Sequence, residues 1–269
     1  MKREAAIEGL IRYVSAVERR VPIDANTYRY RYRSVVKSAV LSSLVHAHLG
    51  LGMYAYYIDH DPQRFRQEFY VASMLELRRY SAHGVTEFAL NVVLVYALLS
   101  DCPHVIQEAA LLEVPEHIEH RDDPRASNFL LHMYQLAVLG DEDALRKKIA
   151  IGAERSGKSF REELASGTDF FSLLLARDKT GLEARITKLT KTSTRDASFE
   201  GLMALGATKE AKICWLKGIE VQIDSPMLPM ELMPHQPLPD YDNVYDFLEP
   251  GWKPPLPRAL GKLISRLRR

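Results

Sequence analysis

Proline placement constrains this chain more than any other feature. Nine of its 14 prolines fall between Pro226 and Pro257, and the other five are scattered through everything before. A helix cannot run through prolines at that density, because each removes a backbone donor and its ring clashes with the carbonyl four residues back. Yet Met227, Leu228, Met230, Leu232, Met233, Tyr241, Tyr245, Phe247, Leu248 and Trp252 are too apolar for a disordered linker. The expectation is an ordered, irregular strap, anchored by these side chains across a scaffold built from the rest of the chain.

That scaffold reads as helical. Arg3–Arg20 carries Ala6, Leu10, Ile11, Val14 and Val17 on one face, with Pro22 and Asp24 marking its predicted exit. Thr27–Arg33 alternates Tyr and Arg, which predicts a polar approach to the next helix; a short strand or a base-stacking surface fits the same pattern. Ser38–Ile58 holds no Asp, Glu, Lys or Arg over 21 residues, near membrane-spanning length, but three Ser, two His and two Gly favour a buried central helix. Asp61-Pro62 opens a helix predicted to reach about Ser81, and Thr86–Ser100 forms another. Pro103, Pro115 and Pro124 then punctuate two shorter ones.

From Asn128 the chain repeats loosely. Segments 129–149, 170–189 and 199–216 each read as an apolar helix, a tight polar turn and a second helix. The last of these helices is expected to carry Ala211, Cys214, Trp215 and Ile219 on its buried face. No alternating strand pattern or Asn-Gly hairpin accompanies them. The predicted fold is therefore all-α: helical hairpins stacked in a bundle or tetratricopeptide-like array, with an irregular Pro-rich C-terminal strap and a short basic terminal helix. One helical domain over 1–269 is expected, divided into N-terminal helices (1–125), hairpins (126–220), acidic strap (221–257) and basic terminal helix (258–269).

A net charge of +1 conceals a sharp segregation. From Gly218 to Trp252 there is no Lys or Arg, while Glu220, Asp224, Glu231, Asp240, Asp242, Asp246 and Glu249 are acidic. Lys253, Arg258, Lys262, Arg266, Arg268 and Arg269 follow with no acid among them. Two readings fit: the strap folds over its own basic tail, or its acids and tyrosines dock on a basic partner. The contact candidates on the second reading are Asp240, Tyr241, Asp242, Tyr245 and Asp246.

The run Trp215-Leu216-Lys217-Gly218-Ile219-Glu220, then Asp224-Ser225-Pro226-Met227-Leu228-Pro229, then Tyr245-Asp246-Phe247-Leu248 resembles the C-terminal part of bacterial polymorphic-toxin immunity proteins, specifically the immunity protein 49 family. The resemblance covers roughly the last quarter of the chain. It implies a mostly helical cytosolic protein that binds and neutralises a cognate toxin, with no catalytic residues. A helical-repeat scaffold or chaperone for another protein is the alternative.

Other chemistry has weaker support. Gly152–Ser159 matches the phosphate-binding pattern G-x-x-x-x-G-K-[ST], but a helix rather than a buried strand is predicted before it, so a helix end and loop is expected instead. His117 and His120 lie three apart on a short helix without the H-E-x-x-H arrangement, and Cys102 and Cys214 lack CxxC spacing. Neither metal, cofactor, nucleic-acid nor membrane binding is expected. The two cysteines and the acid-bearing N-terminus, with no secretory core after it, point to a reducing cytoplasmic setting.

Overall fold

A computed structural model of the chain describes residues 2–83, 90–192 and 199–255. It is all-α, with no strand among the described residues. Helix α1 spans Lys2–Tyr30, α2 Lys37–Tyr57, α3 Pro62–His83 and α4 Leu90–Ser100. Then come α5 (Pro103–Leu111), α6 (Pro115–His120), α7 (Ser127–Leu139), α8 (Glu142–Arg155) and α9 (Lys158–Ser166). The last three are α10 (Phe170–Ala176), α11 (Lys179–Leu189) and α12 (Leu205–Leu216). Buried apolar side chains from α1 through to the strap form one contiguous cluster.

Helix α1 runs straight through Pro22, where the sequence predicts an exit. Pro22 is on the exposed side, and the buried stripe continues past it through Ala25 and Tyr28, the latter fully buried. Burial of that last turn outweighs the cost of about 3 kcal/mol for an interior proline. The Tyr/Arg alternation therefore begins inside a helix and ends in the turn that follows, not in a strand.

Helix α2 is the buried central helix: Leu41, Leu44, Val45, Leu49 and Met53 are nearly inaccessible, and α1 and α3 flank it. Among the described residues no helix is long and apolar enough to cross a membrane. Asp61 caps α3 as its place before Pro62 predicts, accepting from the Gln63 and Arg64 amides at 3.0 and 2.9 Å.

Two of the three predicted hairpins form, with turns built alike. Gly140 and Arg177 end α7 and α10 in the left-handed conformation, at φ +81° and +53°. The amides of Asp141 and Asp178 reach back to Leu136 and Leu173, and their carboxylates cap α8 and α11. The third unit departs from expectation. Residues 199–204 form turns, and Phe199, Leu202 and Met203 are buried as plugs rather than as a helix face; Phe199 packs near the Phe69 and Tyr96 rings.

Helix α12 packs on α4, α7 and α11 and buries charge as well as carbon. Glu210 accepts from the Tyr134 hydroxyl at 2.8 Å and from Arg185 at 3.1 Å, and Arg185 also holds Glu163 at 2.9 Å. The helix ends at Leu216, so Ile219 is buried from the first turn of the strap rather than from the helix. Trp215 is only partly buried and donates its indole N–H to the Val221 carbonyl.

Candidate interaction site

The strap is fixed to α1, α2, α3, α11 and α12 and to the link between α4 and α5. Its first residues are held where the Gln222 amide donates to Glu183 of α11 and where Ala204 donates to the Met227 carbonyl. Tyr56 at the end of α2 then donates to Glu231 in a short 3-10 turn, Met230–Leu232. Val221, Leu228, Leu232 and Met233 fill the core beneath this part. Backbone polar groups of an irregular segment must find partners individually, and here side chains of the scaffold supply many of them.

The tightest anchorage is polar and centred on Asp101. This residue links α4 to α5, is 1% exposed, and sits in the left-handed region at φ +58°, a conformation Asp tolerates better than most residues. Its carboxylate takes Arg66 of α3 at 2.8 Å, Lys212 of α12, and His235 of the strap at 3.2 Å. Arg66 also reaches Gln236 of the strap at 3.1 Å. Burial pulls the Lys212 ammonium below its usual range even with Asp101 against it. One acid thus ties three segments distant in sequence to the strap.

Beyond it, Tyr241 donates to the Ser100 carbonyl at 2.8 Å and accepts from the Leu238 amide at 3.0 Å. Gln67 of α3 makes a pair of hydrogen bonds with the backbone of Asp242, and Tyr70 donates to Asn243. Tyr245 is buried and meets His48 of α2 at 2.8 Å, while the other nitrogen of that ring meets Glu68 at 2.5 Å. Asp246 closes the series, paired with Arg29 of α1 at 2.7 Å and accepting from the Trp252 indole. Burial works against its charge, but the Arg29 hydrogen bond and charge prevail and hold the Asp246 carboxyl below its usual range.

Burial pushes the Tyr70 and Tyr241 phenols up to about 12. An unfolded chain loses such protons once pH passes about 10. Stability from these groups is therefore intact below that pH and lost as pH rises toward the folded values. The urea midpoint should fall between pH 10 and 12, and the fall should be shallower in a Tyr70→Phe/Tyr241→Phe variant. Equal slopes for the two proteins would refute the assignment.

The five sequence-derived contact candidates thus lie along one segment but in different environments. Asp240 and Asp242 are exposed; Tyr241 is half-buried; Tyr245 is buried; the Asp246 side chain is 52% exposed. Of the acids, Asp246 meets α1. The basic terminal helix lies outside the described residues.

With that geometry in view, one comparison with known proteins bears on function. Residues 132–232 match the family model of immunity protein 49. No curated protein and no solved structure matches the chain significantly. The matched region opens within α7 and ends in the 3-10 turn at Leu232, so it takes in both hairpins, α12 and the first part of the strap. It starts well before the C-terminal quarter that carries the visible resemblance. It also stops short of Asp240–Asp246. The immunity protein 49 likeness therefore rests on the scaffold and the strap's root, and the acidic candidates lie beyond it.

The phosphate-loop match is a helix-to-helix junction. Gly152 lies inside α8, Ser156 and Gly157 make the turn, and Lys158 is the exposed first residue of α9. A Cβ at Gly152 would meet Leu164 at 2.5 Å, so packing between α8 and α9 accounts for the first glycine. Lys158→Ala should shift stability by no more than about 0.5 kcal/mol, as for other exposed positions. Calorimetric binding of ATP or GTP that disappears in this variant would contradict the structural assignment. His117 is fully buried, with its two ring nitrogens on Asn128 and Gln135 at 3.1 and 2.9 Å. Among the described residues no group of three or more His, Cys, Asp or Glu is placed to hold a metal.

Sequence reasoning missed the Asp101 cluster entirely. Its one local signal was Lys212, a charge enclosed by Ala211, Ile213 and Cys214 in an apolar helix. A buried lysine demands an acid, but nothing in the sequence says which one.

Proposed function

We propose that this protein is an immunity protein that binds a cognate bacterial toxin acting in the cytoplasm and neutralises it without chemistry of its own, by blocking the toxin's active cleft. The observation that carries the reading is the immunity protein 49 match over residues 132–232. The strap supplies the surface. Tyr241 and Tyr245 hold it to the scaffold, while Asp240 and Asp242 face outward and Asp246 adds a half-exposed charge. A surface already ordered before contact loses little conformational entropy on binding. If the toxin is a nuclease, its cleft is basic, and these carboxylates compete with phosphate for it.

The direct test is co-expression with the toxin encoded beside this chain's gene: growth should be restored, and the two proteins should co-purify. Failure of the purified pair to associate would remove the proposal. The charged surface is tested separately. Asp240→Asn/Asp242→Asn should leave stability within about 1 kcal/mol, since exposed ion pairs contribute little. It should slow association several-fold at low salt, with the difference shrinking as salt screens the native protein's advantage. Unchanged association kinetics would take both residues out of the interface while leaving the immunity assignment standing.

A further inference from the structure

From Asp240 to Phe247 the strap lies against the scaffold with its side chains alternating. Tyr241, Asn243, Tyr245 and Phe247 are partly or fully buried, and Asp240, Asp242, Val244 and Asp246 between them are exposed. Three members of the outward row are acids, with no Lys or Arg anywhere from Gly218 to Trp252. Val244 is the exception. It is an apolar, β-branched side chain left 53% exposed, and no contact of the fold calls for it.

Its backbone is unfavourable as well. Val244 has φ +63°, in the left-handed region, where a branched Cβ crowds the carbonyl that follows. Gly or Asn would occupy that position at lower cost. Neighbouring contacts impose the conformation. The Val244 amide donates to the Asp242 carboxylate at 2.8 Å, and the Tyr245 amide to the Asn243 carbonyl at 2.6 Å. Asn243 in turn accepts from Tyr70 and donates to Glu249, both at 2.8 Å. A single exposed apolar side chain is ordinary on a protein surface. One kept at a strained backbone position, inside an otherwise acidic outward row, breaks two local rules with no gain to the fold. An apolar centre within a charged rim is, however, the anatomy of a protein interface.

We propose that Val244 is the apolar anchor of the toxin contact, seated in an apolar pocket of the toxin whose rim carries Lys or Arg. This rests on the immunity reading above and adds a division of labour to it: Asp240 and Asp242 speed encounter by charge, and Val244 slows dissociation by leaving water. Two substitutions separate the anchor from the backbone that presents it. Val244→Thr keeps the branched shape and its backbone cost but places a hydroxyl in the contact; Val244→Asn suits the left-handed backbone and removes the apolar group. The urea midpoint should be unchanged for Thr and unchanged or higher for Asn. Against the toxin encoded beside this chain's gene, both variants should dissociate at least about tenfold faster, as for other apolar groups lost from an interface centre. Their association rates should stay within about twofold of the native protein's, the reverse of the pattern expected for Asp240→Asn/Asp242→Asn. A native dissociation rate in either variant would show that the toxin does not hold this side chain, and would overturn the proposal. A lowered midpoint for Val244→Asn would show that Val244 serves the fold, and would overturn it equally. Both results leave the immunity assignment standing so long as the native protein binds; failure of the native protein to bind removes the two together.

Discussion

Replacing Asp101 with Ala should destabilise the protein by about 3–5 kcal/mol, the range for removing one partner from a buried charge cluster. Arg66 and Lys212 are 4% and 3% exposed, and the substitution leaves both cations facing each other without their acid. Ala also fits the left-handed backbone at this position poorly, adding about 1–2 kcal/mol. Asp101→Asn separates the two effects, since Asn accepts that backbone but not the charge. It should lose most of the first increment and little of the second. The arrangement further predicts that replacing Asp101, Arg66 and Lys212 together with apolar residues is milder than Asp101→Ala alone, because no orphaned charge remains. Urea unfolding of the four proteins measures this. A loss under 1 kcal/mol for Asp101→Ala would mean that water or another acid compensates, and that the cluster does not hold the strap.

Phe247→Ala should cost about 3–5 kcal/mol, as expected for an aromatic deleted from a packed core. Phe247 is fully buried between Tyr28, at 4.6 Å centroid to centroid, and Tyr245, stacked at 4.8 Å, with Trp252 at 6.0 Å. The ring is carried by a 3-10 turn of three residues, Asp246–Leu248, and the Arg29 guanidinium lies over it at 6.0 Å. The loss should appear first as local release. Native-state proteolysis should cut the strap near Glu249–Trp252 under conditions where the helices stay resistant. If the variant instead unfolds in a single step with no early strap cleavage, the strap and scaffold form one cooperative unit. In either outcome the exposed carboxylates of Asp240 and Asp242 should lose their fixed placement, and if they form the interface proposed above, toxin association should weaken with the strap.

Helical class was legible because its signals are local. The apolar runs of α2, α3 and α7 repeat at helical spacing, Asp61-Pro62 is a complete start signal, and the prolines beyond Pro226 exclude helix by covalent geometry. Failures occurred where tertiary contacts overrule local preference. Pro22 reads as a stop, yet Tyr28 needs the helix to continue so that its ring can reach Phe247. Phe199, Leu202 and Met203 read as a helix face, yet they are used as three separate plugs in a turn. The charges of the strap were visible at once, but their neighbours were not. Asp246 meets Arg29, 217 positions away, and no spacing rule reaches that far.

By itself, then, the sequence determined that this chain is helical up to about Leu216, irregular and acidic from there to Trp252, and similar in its last quarter to immunity proteins. Those properties follow from proline chemistry, apolar period and charge, which act over a few residues at a time. Only the tertiary structure decided which of the strap's groups are fasteners and which remain exposed to solvent. That division depends on long-range pairs such as Asp101 with Lys212 and His48 with Tyr245, where burial raises the penalty for leaving a polar group unmatched. Asp240 and Asp242 are exposed because such pairs hold the chain on either side of them.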